Sequence, residues 1–160
     1  MSHRNWVFLT VIIFLGIIQV TILDYFKIFC VKADLFLISV ILSSIFFAGH
    51  WALAFSFFSG ILKDAFGAQA IGINTLLFPL ISILIMRACK EISIDNNYGY
   101  FILACAVSII YSIATRIILL FLGNFIPTLT FSRIIFLQSL YTAAVLLLVL
   151  KAVKPLLAKK

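Results

Sequence analysis

Residues 35–62 read LFLISVILSSIFFAGHWALAFSFFSGIL, a stretch with no Lys, Arg, Asp or Glu. As one helix it would extend about 42 Å at 1.5 Å per residue. That is long for one crossing of a hydrocarbon core roughly 30 Å thick and short for two. Ala48-Gly49-His50 lies near its middle and offers a break. The stretch therefore reads as two short spans, 34–48 and 51–66. Spans of that length are accommodated by local bilayer thinning or by packing inside a bundle.

Working outward, charges and turn residues divide the rest of the chain. A first span covers 6–23 and is followed by a loop holding Asp24, Lys27 and Lys32. A fourth covers 71–87 with Pro79 inside, where proline is expected to bend the helix. The polar loop Lys90 to Asn97 leads to a fifth span, 98–122. Gly123-Asn124 and Pro127 mark the next turn before a sixth span, 132–153, and a basic tail. The predicted fold is all-α, an integral membrane protein forming a compact bundle of about six transmembrane helices, with residues 1–160 as a single domain.

Composition supports this. The chain is 65% hydrophobic and 11% charged, against roughly 25% charged in soluble domains. The net charge of +7 does not indicate nucleic acid. Its basic residues sit at the ends of apolar runs and in the tail, where Lys and Arg set membrane topology. A nucleic-acid reader needs a basic face in polar surroundings. Cys30, Cys89 and Cys105, odd in number and irregular in spacing, give no disulfide framework. With His3 and His50 as the only histidines, no metal site is expected. The apolar run after Arg4 exceeds the usual signal-peptide core of about 7–15 residues and no small-x-small site follows, so it reads as an uncleaved helix.

Six spans with a cytoplasmic N-terminus place Arg4, Arg87, Lys90 and the tail lysines inside, with both termini cytoplasmic. A five-span arrangement with an outer N-terminus satisfies the positive-inside rule equally well.

Ionisable residues within spans ask for a reason, because they are costly in a bilayer unless paired. Asp64 and Arg116 stand out. Ala52, Ser56, Gly60, Asp64 and Ala68 recur every four residues, with Ser59, Lys63 and Gly67 as the adjacent row. Small residues at this spacing let helix backbones approach. Arg116 follows Ser108 and Ser112 at the same spacing. In the six-span arrangement Asp64 and Arg116 lie towards the same outer side, so Arg116 is the expected partner of Asp64. The alternative is that Asp64 caps the turn through Gly67 and Gly72. Lys63 points about 100° away from Asp64 on a helix. Gln19, Asp34, Asn74 and Gln138 fall on the same outer side and are candidates to line one shared groove. No nucleophile–base pair, phosphate loop or carboxylate dyad is present, so no catalytic or cofactor-binding residue is assigned.

Residues 60–76, GILKDAFGAQAIGINTL, resemble the signature of the rod-shape-determining membrane protein family MreD. That family shows a Gly, an Asp four residues later, then Gly-x-Asn or Gly-x-His before a Leu. Gly60, Asp64, Gly72, Asn74 and Leu76 fall on this pattern. Gln19-x-Thr21 closing the first span and Asp34 opening the second also match, whereas Ala33 stands where many relatives have Pro. Lys63 is more polar than the aliphatic residue expected before the Asp. The resemblance implies a non-enzymatic scaffold in the bacterial inner membrane, beside an MreC-like coiled-coil membrane protein. Together these connect MreB-like filaments to the RodA polymerase and a class B penicillin-binding protein, organising lateral peptidoglycan synthesis and cell shape. The family has been likened to the six-helix substrate-binding subunits of energy-coupling-factor transporters. That supplies the rival reading, a small-molecule-binding subunit of a vitamin-type transporter. Such subunits usually carry an Ala-x-x-x-Ala docking face on the first helix, and residues 6–23 contain no alanine.

Overall fold

The break near residue 48 is present. Phe47 is extended, with φ −117° and ψ 153°, and a new helix begins at Gly49. The computed structural model describes residues 3–21, 33–47, 49–66, 72–91, 97–123 and 128–158. These form six helices and no strand: α1 (His3–Thr21), α2 (Leu35–Phe46), α3 (Gly49–Phe66), α4 (Ile73–Glu91), α5 (Asn97–Phe121) and α6 (Thr128–Ala158). Five lie within about four residues of the expected spans, while α6 runs about five residues further at its C-terminal end. Pro79 sits inside an uninterrupted α4. The loop from Asp24 to Lys32, Cys30, Gly67, Ala68 and the terminal Lys159-Lys160 lie outside the described residues.

The two halves of the uncharged stretch have different fates. At 12 residues, α2 is about 18 Å long, too short to cross a bilayer alone. It survives because protein surrounds it. Every residue from Leu35 to Ser44 is buried, and α2 touches each of the other five helices. A helix apolar on all sides belongs in such a central position. Its serines spend their hydroxyls on nearby carbonyls: Ser43 and Ser44 donate to Val40 O, and Ser39 to Phe36 O. Two of them also bridge to neighbouring helices, Ser39 to Ser59 and Ser44 to Ser82, each at 2.8 Å.

Among the described residues, three helices are long and apolar enough to cross a membrane, through Ile73–Lys90, Tyr98–Phe121 and Ile134–Lys151. Their outward faces are apolar. Leu76, Leu80 and Leu84 on α4, Ile109, Ile113 and Ile117 on α5, and Phe136, Leu140 and Leu148 on α6 are all exposed. Contiguous apolar exteriors on this scale mark surfaces that meet a membrane or partner proteins. The chain has the surface of a helical membrane protein.

Candidate functional site

The site assembles where α2 and α4 begin and α3 ends. On α3 the expected small-residue row packs: Ala52, Ser56, Gly60 and Asp64 are all buried. Gly60 and Asp64, one turn apart, face the first turn of α4. A Cβ on Gly60 would lie 2.7 Å from both Asn74 O and Thr75 Cα. Glycine there is what allows the α4 backbone to approach. Asp64 then receives the end of α4. Its Oδ2 accepts from Gly72 N (3.1 Å), Thr75 N (2.9 Å) and Thr75 Oγ1 (2.6 Å). Its Oδ1 accepts from Asn74 N (3.2 Å) and Asn74 Nδ2 (2.7 Å). Amides of a first helical turn have no intrahelical acceptor, and the helix dipole favours an anion there. Gly72, at φ +99°, makes the turn into the helix in a backbone region that favours glycine.

This corrects the expected pairing. The hydrogen bonds to Asp64 come from residues 72–75, not from Arg116. Charge needed compensation, but a helix N-terminus supplies it as well as a guanidinium does. The alternative of a cap through Gly72 is the one observed; its Gly67 half lies outside the described residues.

Lys63 differs most from expectation. About 100° around α3 from Asp64, it forms an ion pair with Asp34. It also donates to Tyr111 Oη at 2.7 Å, and its ammonium lies 4.4 Å from the Tyr111 ring centroid and 5.2 Å from that of Phe78. Tyr111 Oη donates onward to Asn74 Oδ1 at 2.6 Å. One hydrogen-bonded chain therefore runs Asp34–Lys63–Tyr111–Asn74–Asp64–Thr75, linking α2, α3, α4 and α5.

Asp34 is also the N-cap of α2, accepting from Leu37 N at 3.1 Å. Its own amide donates to Thr142 Oγ1 on α6 at 3.3 Å. Gln19, buried at the end of α1, accepts from Phe36 N at 3.1 Å. The structure thus brings together Gln19, Asp34, Gly60, Asp64, Gly72 and Asn74. Arg116, half-buried and five residues beyond Tyr111 on α5, lies outside this chain, as does half-buried Gln138, one turn before Thr142. Gln19 and Asp34 both accept from amides at the start of α2.

Sequence reasoning passed over Lys63, Thr75 and Tyr111 as members of the site. A signal for Lys63 was available. Asp34 and Lys63 bound the same uncharged stretch, and folding that stretch at residue 48 brings its two ends level. Tyr111 carried no such signal, because it lies on a helix separated from the hairpin by α4.

No protein-family model, curated protein or solved structure matches this chain. The site must therefore be read from its own geometry. Among the described residues of the site, the charges balance. Two carboxylates face one ammonium and the N-termini of α2 and α4, each worth roughly half a positive charge. Its chemistry is that of a clasp that holds helix ends together.

Proposed function

We propose that this chain is a multi-pass protein of the bacterial inner membrane, with both termini cytoplasmic, acting as a non-enzymatic scaffold of the MreD type in the complex that elongates rod-shaped cells. The observation that supports this reading is the convergence of Gly60, Asp64, Gly72 and Asn74 on one contact. Residues that form the resemblance in sequence turn out to be one device. Gly60 admits the α4 backbone, Asp64 caps it, Gly72 makes the turn, and Asn74 carries the network to α5. The fifth, Leu76, points outward and is 70% exposed, available to lipid or to a partner helix.

In this reading the partners are an MreC-like coiled-coil membrane protein and, through it, MreB-like filaments, RodA and a class B penicillin-binding protein. Among the described residues, the carboxylate oxygens of Asp34 and Asp64 are all engaged by protein donors, which favours a scaffold over a small-molecule-binding transporter subunit that needs polar groups free for its ligand.

Tagged chain solubilised from native membranes tests the proposal. Retention of the single-span coiled-coil partner, and its loss with Asp64→Ala, is the expected result. Recovery of a transporter ATPase in its place would move the assignment to the vitamin-type transporter. Reporter fusions at both termini test the six-crossing arrangement, which an external N-terminus would reject.

A further inference from the structure

The helices are held together in two different ways. Serine bridges and the two aspartates tie α2, α3 and α4 to one another at several levels. By contrast, α5 and α6 pack far more extensively on each other than on the rest. Between described residues, the hydrogen bonds joining this pair to α2, α3 and α4 run through Tyr111 and Thr142.

The side chains that meet Tyr111 keep other partners. Lys63 also holds Asp34, and Asn74 also holds Asp64. The clasp between α2, α3 and α4 therefore closes without α5.

The joint is also incompletely satisfied. On α5, Tyr111 faces α3 and α4, whereas Cys105 Sγ reaches Ser139 O on α6 at 3.9 Å. Six residues apart, these two directions differ by about 120° around the helix. Ser108 lies midway between them, at the seam where α5 meets both α6 and the first four helices. It is fully buried, and its Oγ has no hydrogen-bond partner among the described residues. A buried hydroxyl left unmet weakens the packed arrangement that contains it. Weakly held packing of this kind is where a fold opens first.

We propose that α5 and α6 move as one body against α1–α4, docking and undocking at Tyr111 and Thr142 while the clasp of α2, α3 and α4 stays closed. Motions of packed helical units by hinge or shear are a common means of switching. Tyr111 is then the residue through which the position of the α5–α6 pair is felt at the start of α4, since its hydroxyl donates to Asn74 Oδ1. The inference rests on the fold and is independent of the role in cell elongation.

Nitroxide pairs in the full chain, read by electron paramagnetic resonance in lipid nanodiscs, test it. The background is a cysteine-free chain (Cys30→Ser, Cys89→Ser, Cys105→Ser). Labels at Ile17 and Leu80 report on α1–α4, labels at Ile109 and Leu148 report on the α5–α6 pair, and labels at Leu80 and Leu148 span the joint. All four positions are exposed. Each pair is measured in the native background, with Tyr111→Phe plus Thr142→Val, and with Ser108→Ala.

The expected result is one narrow distance within each unit and a second, longer distance across the joint. Tyr111→Phe with Thr142→Val should raise the longer population at least about three-fold, because the docked state loses hydrogen bonds of ordinary strength. Ser108→Ala, which removes the unmet hydroxyl, should lower it. A single narrow distance across the joint, unchanged by Tyr111→Phe with Thr142→Val, would overturn the proposal. Equal broadening of all three pairs would overturn it too, by showing general loosening in place of a moving unit. A rise of the longer population with Ser108→Ala would do the same, and this variant keeps every hydrogen bond of the joint.

Discussion

Replacing Asp64 with Ala removes the acceptor for five hydrogen bonds at once. Three of the donors are backbone amides in or beside the first turn of α4, and two are side chains of Asn74 and Thr75. A hydrogen bond to a charged group contributes about 1.5–3 kcal/mol, and a buried donor left unmet costs about 1–3 kcal/mol. These terms do not add, because the same amides share one carboxylate and the turn relaxes. Loss of an ordinary solvent-exposed cap costs about 0.5–2 kcal/mol. Asp64 is 6% exposed, so water replaces it poorly and the loss should exceed that range, at about 3–5 kcal/mol, the scale for a buried group stripped of its partner. For a chain of this size 1 kcal/mol corresponds to about 2–4 °C in melting temperature, which gives a drop of at least about 6 °C. Asp64→Asn keeps one acceptor oxygen and should lose roughly half as much on the same grounds. Retention of folded protein after heating in mild detergent, read by size-exclusion chromatography, measures the series. If Asp64→Ala shifted the midpoint by less than about 2 °C, the clasp reasoning would be refuted.

Two further predictions concern the glycines and the ion pair. Gly60→Ala should cost about 1–3 kcal/mol, since its Cβ meets α4 backbone that cannot turn aside. Gly16→Ala should be milder, because its Cβ meets the edge of the Phe36 ring at 3.1 Å and a ring can shift. The same melting assay ranks them, and a milder effect at 60 than at 16 would contradict the close approach. For the ion pair, Lys63→Met or Asp34→Leu alone should cost about 3–5 kcal/mol by leaving a buried charge uncompensated. The double variant should recover part of that loss, less the cap that Asp34 gives α2, and additive losses in the double-mutant cycle would show that the two do not pair.

What the sequence determined by itself is the helical hairpin and its surroundings. Twenty-eight uncharged residues with Gly49 near the middle admit few arrangements, because hydrophobic length and bilayer thickness are both fixed quantities. The same pattern located the small-residue face of α3, since helical periodicity puts residues four apart on one side. Asp64 was legible as a residue needing compensation, because a charge within a span is costly unless paired. The form of that compensation belonged to the tertiary structure. A carboxylate is served equally by a cation or by the free amides of a helix start, and nothing local in the sequence distinguishes them. Only the approach of α3 to α4 at Gly60 chose Gly72, Asn74 and Thr75 over Arg116. It likewise took the burial of α2 among five helices to turn a segment too short to span the bilayer into the centre of the fold. Burial depends on what lies around a segment, and hydropathy along the chain does not contain that.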